Sequence, residues 1–214
     1  MTKKNGALSR KGIIKYSIGD HFSQYKWEYL ILIAIIMTGL IVGFVVGFNR
    51  ADNFSLSDLP DNVLALYINK KTSGLSVFFS RLFGFLGLCL LIICVNAKGY
   101  LCWISFFVFL YRSFLIGINC AILISLYKFG GVVNVILLYF PVHLLALFLL
   151  LMLGAVCLFW CFNQKNTGYS VLSGHFIKEN KSLLFLVGVF ASALYILECV
   201  IMPHITSALF IGVA

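Results

Sequence analysis

Charged side chains are scarce in this 214-residue sequence. Asp, Glu, Lys and Arg make up 11% of it, while hydrophobic residues make up 62% and phenylalanine alone occurs 21 times. A soluble domain is typically about 25% charged, and a water-soluble core of this size could not bury so much apolar surface. A lipid bilayer solvates such side chains directly. The shortage of charge therefore predicts an integral membrane protein and leaves no length for a soluble catalytic domain.

Recognisable catalytic motifs are also lacking. There is no H-E-x-x-H pattern and no paired His/Asp motif of the kind that membrane hydrolases use. No C-x-x-C pair occurs, and although Cys157 and Cys161 are spaced to share a helical face as a metal pair would, packing of small apolar side chains is favoured. We predict a protein that is not an enzyme and uses no metal or cofactor. The seven cysteines all lie in or beside apolar runs: Cys89, Cys94, Cys102, Cys120, Cys157, Cys161 and Cys199.

Five apolar runs are long enough to cross a bilayer, which takes roughly 20 residues in a helix. They predict an all-α, polytopic bundle of about five transmembrane helices with short interfacial helices. The fourth run contains Pro141, and the sequence leaves undecided whether the helix is tilted, kinked or broken there. The predicted segments are a basic N-terminal arm (1–27), a transmembrane domain (28–203, with spans at about 28–48, 75–95, 100–127, 132–162 and 182–202) and a short tail (204–214).

The net charge of +9 is distributed unevenly along the chain. With a cytoplasmic N-terminus and five spans, ten Lys and Arg residues fall in cytoplasmic segments and four in external ones. The positive-inside rule favours this arrangement. We therefore predict a multi-pass protein of the cell membrane with an extracytoplasmic C-terminus. The basic arm suits anionic membrane lipid, and without a folded basic domain nucleic-acid binding is excluded.

Two segments outside the spans have apolar residues at helical spacing and predict helices lying on the membrane surface. One is in the N-terminal arm and the other precedes the last span. Their apolar residues are Ile14, Ile18, Phe22 and Tyr25 in the first, and Tyr169, Leu172, Phe176 and Ile177 in the second.

Small residues recur every fourth position in two of the spans. Such stripes let another helix backbone approach closely, which is how helices commonly pack in lipid. Packing within one chain is one interpretation, and docking of a partner or a second copy through the first span is the other; glycine spacing does not separate them. The stripes are Gly39, Gly43 and Gly47 in the first span, and Ser113, Gly117, Ala121 and Ser125 in the third.

Four ionisable residues lie inside predicted spans: Arg81, Arg112, His143 and Glu198. A charge at the bilayer centre costs at least about 2.5–3.5 kcal/mol, so each should face protein or water and have a partner. One interpretation is a polar transport pathway through Arg112, His143 and Glu198. The other is a structural ion pair, with Glu198 bound by Arg112 or Arg81, and a histidine bonded to a neighbouring helix.

Spans three and four resemble the stage II sporulation protein M family of membrane proteins. The resemblance lies in Arg112-Ser-Phe-Leu-Ile-Gly-Ile-Asn-Cys-Ala, in Gly130-Gly131 and in Tyr139-Phe-Pro-Val-His-Leu-Leu, and the five-span layout matches as well. The family often has Pro-His-Gly with a later Glu, or Pro-Gln-Asn, in span four, whereas Val142 separates Pro141 from His143 here and no acidic residue follows.

The resemblance implies a membrane scaffold for a peptidoglycan-degrading complex, acting with sporulation proteins D and P in endospore formers. We therefore expect a non-enzymatic scaffold or assembly factor of the cell envelope with membrane or envelope protein partners. A permease-like subunit working with a separate ATPase is the alternative, favoured by the ionisable residues within the spans.

Overall fold

The structure is a computed structural model that describes residues 22–50, 74–97, 101–167, 171 and 174–201. These residues are helical apart from isolated turn positions, and none of them forms a strand. The predicted all-α class is therefore confirmed. The helices are α1 (Lys26–Arg50), α2 (Gly74–Asn96), α3 (Cys102–Asn134), α4 (Phe140–Thr167) and α5 (Gly174–Ile196), with π-helical segments at Val135–Tyr139 and Leu197–Ile201.

Within the described residues, five helical stretches are long and apolar enough to cross a membrane, in agreement with the prediction of about five transmembrane helices. Large apolar side chains such as Phe83, Leu90 and Phe185 remain exposed on the outside of the bundle. In a bilayer these side chains would contact hydrocarbon, so the arrangement is that of a multi-pass membrane protein. The stretches are Lys26–Arg50, Phe78–Asn96, Cys102–Ser125, Lys128–Asn163 and Phe176–Cys199.

The first and third spans run in the same direction. Gly39 lies against Ser113, and two turns later Gly47 lies against Ala121, so residue numbers rise together along both helices. The end of the bundle at which α1 and α3 begin is called the near end here, and the opposite one the far end. Three contacts join helices at the near end: ring centroids 5.0 Å apart for Tyr25 and Phe159, ring centroids 5.5 Å apart for Trp160 and Phe176, and a 2.7 Å hydrogen bond from the Asn96 amide to Ser105.

The fourth span is the central helix of the bundle. It is 72% buried, against 22% for the second span, because it packs against all four of the others. Residues 149–158 of α4 are all apolar and all buried. Gly154 lets α3 and α1 come close, since an added Cβ there would lie 2.6 Å from Phe109 and 3.3 Å from Leu32. An apolar core thus surrounds the middle of the central helix.

The connection between the third and fourth spans is a sharp reversal. Lys128 has φ 49° and ψ −119°, far from helical values, although helical hydrogen bonding continues on either side of it. Gly131 then folds back so closely that any side chain there would overlap the backbone of Leu123 and Ile124. The predicted end of span three at Lys128 and Gly130-Gly131 therefore coincides with a sharp turn at the far end.

Pro141 neither breaks nor ends the fourth span. A π-helical segment, Val135–Tyr139, precedes it and continues directly into α4, whose second residue is Pro141. Proline has no N–H and its ring crowds the carbonyl four residues earlier, so the regular α-helical bonding pattern cannot pass through this point. The wider π turn accommodates the proline, and α4 then continues to Thr167, beyond the predicted end at 162.

The last helix begins eight residues before the predicted start at Ser182. It starts at Gly174, so Phe176 and Ile177 belong to the same continuous helix as the last span and not to a separate surface helix. Phe176 is fully buried, on Trp160. Of the predicted helix in the N-terminal arm, residues 1–21 lie outside the described residues. Its last two apolar members pack on the protein: Phe22 against Tyr29 and Phe148, and Tyr25 against Phe159.

Candidate functional site: a buried polar cluster

The glycine stripe of α1 is covered by α3 of the same chain. Gly39, Gly43 and Gly47 are all buried, and a Cβ at Gly43 would overlap the carbonyl group of Phe114. Packing within one chain is therefore the interpretation that the structure supports for this stripe. It leaves no glycine face of α1 open for a second copy or another protein.

The predicted small-residue stripe of α3 meets that of α1 along three successive turns. A Cβ at Gly117 would overlap the backbone of Leu40 and Phe44, and Ala121 lies against Gly47. The hydroxyl of Ser113 donates to the carbonyl of Phe109, at 2.8 Å, within its own helix, so it needs no partner across the interface. The two stripes together hold the helix backbones in direct contact, which is a strong form of packing in lipid.

His143 lies at the far end of α4 and is 3% exposed. Its ring stacks on that of Tyr139, with centroids 4.1 Å apart and planes at 29°. The hydroxyl of Tyr139 accepts a hydrogen bond of 2.8 Å from the side-chain amide of Asn119 on α3. The carbonyl of Tyr139 acts electrostatically on the imidazole, but neither ring nitrogen makes a hydrogen bond of good geometry with any described residue. Stacking on Tyr139 is thus the main contact that holds this polar group in the core.

Arg81 and Glu198 lie at the same level of the bundle. The rings of Phe85 on α2 and Tyr195 on α5 meet edge to face, with centroids 5.8 Å apart. Since α2 runs from the far end and α5 towards it, Arg81 and Glu198 each lie about one turn farther towards the far end than this contact. Glu198 is 4% exposed and sits in the π-helical segment Leu197–Ile201, which packs against α2. Arg81 is thus better placed than Arg112 to face Glu198.

Arg112, in the middle of the third span, completes the cluster. It is half-buried. Its positive charge lies close enough to affect the His143 imidazole and the Tyr195 hydroxyl, and the charge of Arg81 affects the same two groups. The four ionisable residues singled out in the sequence therefore come together in one region of the bundle, contributed by four helices. Two of them are associated with π-helical segments, a feature that often marks functional sites.

The sequence did not single out Asn119, Tyr139 or Tyr195 as members of this cluster. Each lies inside an apolar run, where a tyrosine or asparagine resembles an ordinary packing residue. The available signal was their hydrogen-bonding capacity, since a polar side chain inside a membrane span must find a partner within the protein. Asn96 and Ser105, which bond at the near end, were missed for the same reason.

Two pairs of cysteines from different helices lie close together. Among the described residues no group of three or more His, Cys, Asp or Glu side chains could hold a metal ion. Cys157 lies near Cys89 of α2, and Cys161 shares a hydrogen bond with Cys102 of α3. All seven are free thiols; Cys94 is exposed and Cys102 half-buried, while the five buried ones act as small packing groups.

Across the described residues, the fold and the cluster define a class of protein: a five-helix bundle suited to a membrane, with an apolar core around the middle of its central helix and a buried polar cluster towards the far end. Comparison of the chain with protein-family models, with curated proteins and with solved structures finds no match.

Proposed function

We propose that this protein is a non-enzymatic scaffold of the cell envelope, fixed in the cell membrane by its five helices. The observation that carries the proposal is the apolar core in the middle of the bundle, where residues 149–158 of the central helix are all buried. Ionisable residues that belong to a transport pathway usually face a water-filled cavity or other polar groups that continue across the membrane. The cluster at His143 and Arg112 has no polar continuation through the buried α4 residues 149–158, whereas a scaffold requires only a rigid frame.

The contact between α1 and α3 supports the same proposal. Backbone-to-backbone packing at Gly43 and Gly117 leaves no side chain between the helices that could change rotamer. Alternating access in transporters usually moves one group of helices against another. Helices locked at three successive turns are better suited to holding partners in fixed positions.

The distribution of basic residues supports an orientation with the near end in the cytoplasm. Ten Lys and Arg residues then lie in cytoplasmic segments against four in external ones. In this orientation the segment from Asn49 to Gly74 is external and available to envelope partners. By resemblance to the stage II sporulation protein M family, those partners would be components of a peptidoglycan hydrolase complex.

Site-specific photo-cross-linking tests the proposal in whole cells. A photoreactive amino acid replaces Tyr67, in the proposed external segment, or Lys98, in the α2–α3 connection, in the full-length tagged chain. We expect cross-links from position 67 to a cell-wall-processing protein and none of these from position 98. Absence of cross-links at position 67, together with loss of a solute flux on gene deletion, would contradict the scaffold function.

The buried polar cluster favours a second candidate function, a permease-like subunit that works with a separate ATPase. Arg81, Arg112, His143 and Glu198 are costly to keep in a membrane unless they contact something polar. Solute uptake into vesicles from cells with and without the protein separates the two functions. A flux that depends on Arg112 but leaves the cross-links intact would favour the permease.

A further inference from the structure

The imidazole of His143 is nearly inaccessible and lacks a good hydrogen bond. It is 3% exposed, and neither ring nitrogen makes a hydrogen bond of good geometry with any described residue. More than about nine in ten buried polar groups in proteins have a partner, from the protein or from a bound molecule. Stacking on Tyr139 fixes the ring, and the Asn119 hydrogen bond fixes Tyr139 in turn. The ring is thus held in place, while neither of its nitrogens makes a hydrogen bond of good geometry with a described residue.

The charge around His143 is positive. Arg112 and Arg81 both act on the imidazole and on the Tyr195 hydroxyl. Within the described ranges the acidic residues are Glu28, Glu179 and Glu198. The first two lie in the opening turns of α1 and α5 at the near end, so Glu198 is the carboxylate of the cluster. Among the described residues the cluster therefore holds two guanidinium groups and one carboxylate, an excess of one positive charge in a region of low dielectric.

We propose that this cluster binds one small oxyanion, a phosphate or carboxylate group, between Arg112 and the imidazole of His143. The anion would neutralise the remaining charge and accept a hydrogen bond from His143, while Glu198 neutralises the second guanidinium. An arginine offers paired donors that match the oxygen atoms of such a group. The ligand site goes beyond the scaffold function and does not depend on it.

Such an oxyanion has two sources, a free solute or the headgroup of an anionic lipid. The far-end position of Arg81, Glu198 and His143 is compatible with entry from the surface nearest the α3–α4 turn. It also places the cluster within reach of a headgroup on that side. The site is a dead end, because the buried α4 residues 149–158 close the other side of the cluster.

Thermal unfolding of the purified full-length chain tests the proposal. In an uncharged detergent, sodium phosphate is compared with sodium chloride at equal ionic strength; in lipid nanodiscs, phosphatidylcholine alone is compared with a mixture containing phosphatidylglycerol. We expect phosphate, phosphatidylglycerol or both to raise the Tm of the natural chain by several degrees. A higher Tm in phosphate would identify the ligand as a free anion. A higher Tm only with phosphatidylglycerol would identify it as a lipid headgroup.

Three variants make the outcome specific. R112Q should abolish the rise, whereas R50Q, which removes an exposed arginine at the same end of the bundle, should keep it. If R112Q does not fold, H143F takes its place, because it keeps the stacked ring but lacks the ring nitrogens. We expect H143F to reduce the ligand-induced increase in Tm severalfold. An unchanged Tm of the natural chain in both comparisons would overturn the site. So would a folded R112Q or H143F variant with the full response.

Discussion

Asn119 donates a hydrogen bond to the hydroxyl of Tyr139 across 2.8 Å, and this bond joins two segments that carry the ionisable residues of spans three and four. Asn119 belongs to the α3 segment that starts at Arg112, and Tyr139 opens the segment that contains Pro141 and His143. The segments are separated in sequence by the sharp turn at Lys128. Because the bond holds the two arms of this hairpin together, it keeps Arg112 of one segment near His143 of the other.

A double-mutant cycle on N119A and Y139F should give a coupling free energy of about 0.6 kcal/mol, the average for hydrogen bonds between membrane helices. The measurement is unfolding in detergent, followed by circular dichroism. Combining Y139F with S192A is the matched control, because the Ser192 hydroxyl bonds only to Gly188 of its own helix. We expect no coupling there. Equal coupling in both cycles would mean that the Asn119 bond contributes nothing specific.

Glycine at position 43 should be far less replaceable than glycine at position 87. A Cβ at Gly43 would overlap the backbone of Phe114, while nothing lies within 4 Å of a Cβ at Gly87. We expect G43A to lower the free energy of unfolding by about 1–3 kcal/mol, as overpacking does. G87A should be neutral or slightly stabilising, because alanine favours helices by about 1 kcal/mol over glycine. Comparable Tm values for the two variants would contradict the close α1–α3 packing.

Lys128 should tolerate glycine unusually well. Its positive φ of 49°, with ψ −119°, suits a residue without a Cβ. Relief of this strain is expected to raise stability by about 1 kcal/mol. The control K178G places glycine in place of an exposed lysine in regular α5 helix, where about 1 kcal/mol should be lost. If both replacements destabilise alike in thermal unfolding, the turn at Lys128 is not strained.

Mild oxidation should join Cys102 to Cys161 within one chain. Their thiols share a hydrogen bond between the start of α3 and the near end of α4. After treatment of the purified protein with copper phenanthroline and alkylation of the unfolded chain, mass spectrometry should detect the linked peptides. C102S should leave Cys161 alkylated, while C94S, which removes an exposed thiol, should leave the link unchanged. A link from Cys161 to a different cysteine would show that the near end packs differently.

Reporter fusions should place the two ends of the chain on opposite sides of the membrane. With five spans and basic residues divided ten to four, a fusion after Ala214 should activate a reporter that works only outside the cytoplasm. A fusion after Lys98, in the α2–α3 connection, should activate a cytoplasmic one. Cytoplasmic activity at Ala214 would contradict five spans with a cytoplasmic N-terminus.

The helices themselves could be predicted because hydropathy alone requires them. A run of apolar residues as long as that in α1 has one stable arrangement in lipid, a helix that satisfies its own backbone. The start of α5 could not be predicted in this way. Polar residues suggested a loop before Ser182, yet Asn180 is buried and bonds to the carbonyl of Phe176 in its own helix. A polar side chain satisfied within its own helix does not end that helix.

The composition of the cluster was partly predictable, whereas its geometry was not. The cost of burying a charge singled out Arg112 and Glu198, but spacing along separate helices does not determine which helices become neighbours. The ring contact between Phe85 and Tyr195 sets the level at which Arg81 and Glu198 lie. Both of these aromatic residues look like ordinary apolar residues in sequence. The pairing of the Gly43 and Gly117 stripes was undetermined for the same reason.

The parallel contact of α1 with α3 also has a consequence for biosynthesis. Parallel neighbours cannot be adjacent in sequence across a short loop, so α1 must enter the membrane and wait while α2 is made. Its glycine face meets its permanent neighbour only after Gly117 and Ala121 have been synthesised and inserted. Until then lipid or an insertion factor must cover Gly39, Gly43 and Gly47. A ribosome paused between α2 and α3 would therefore expose the surface on which a membrane chaperone could act.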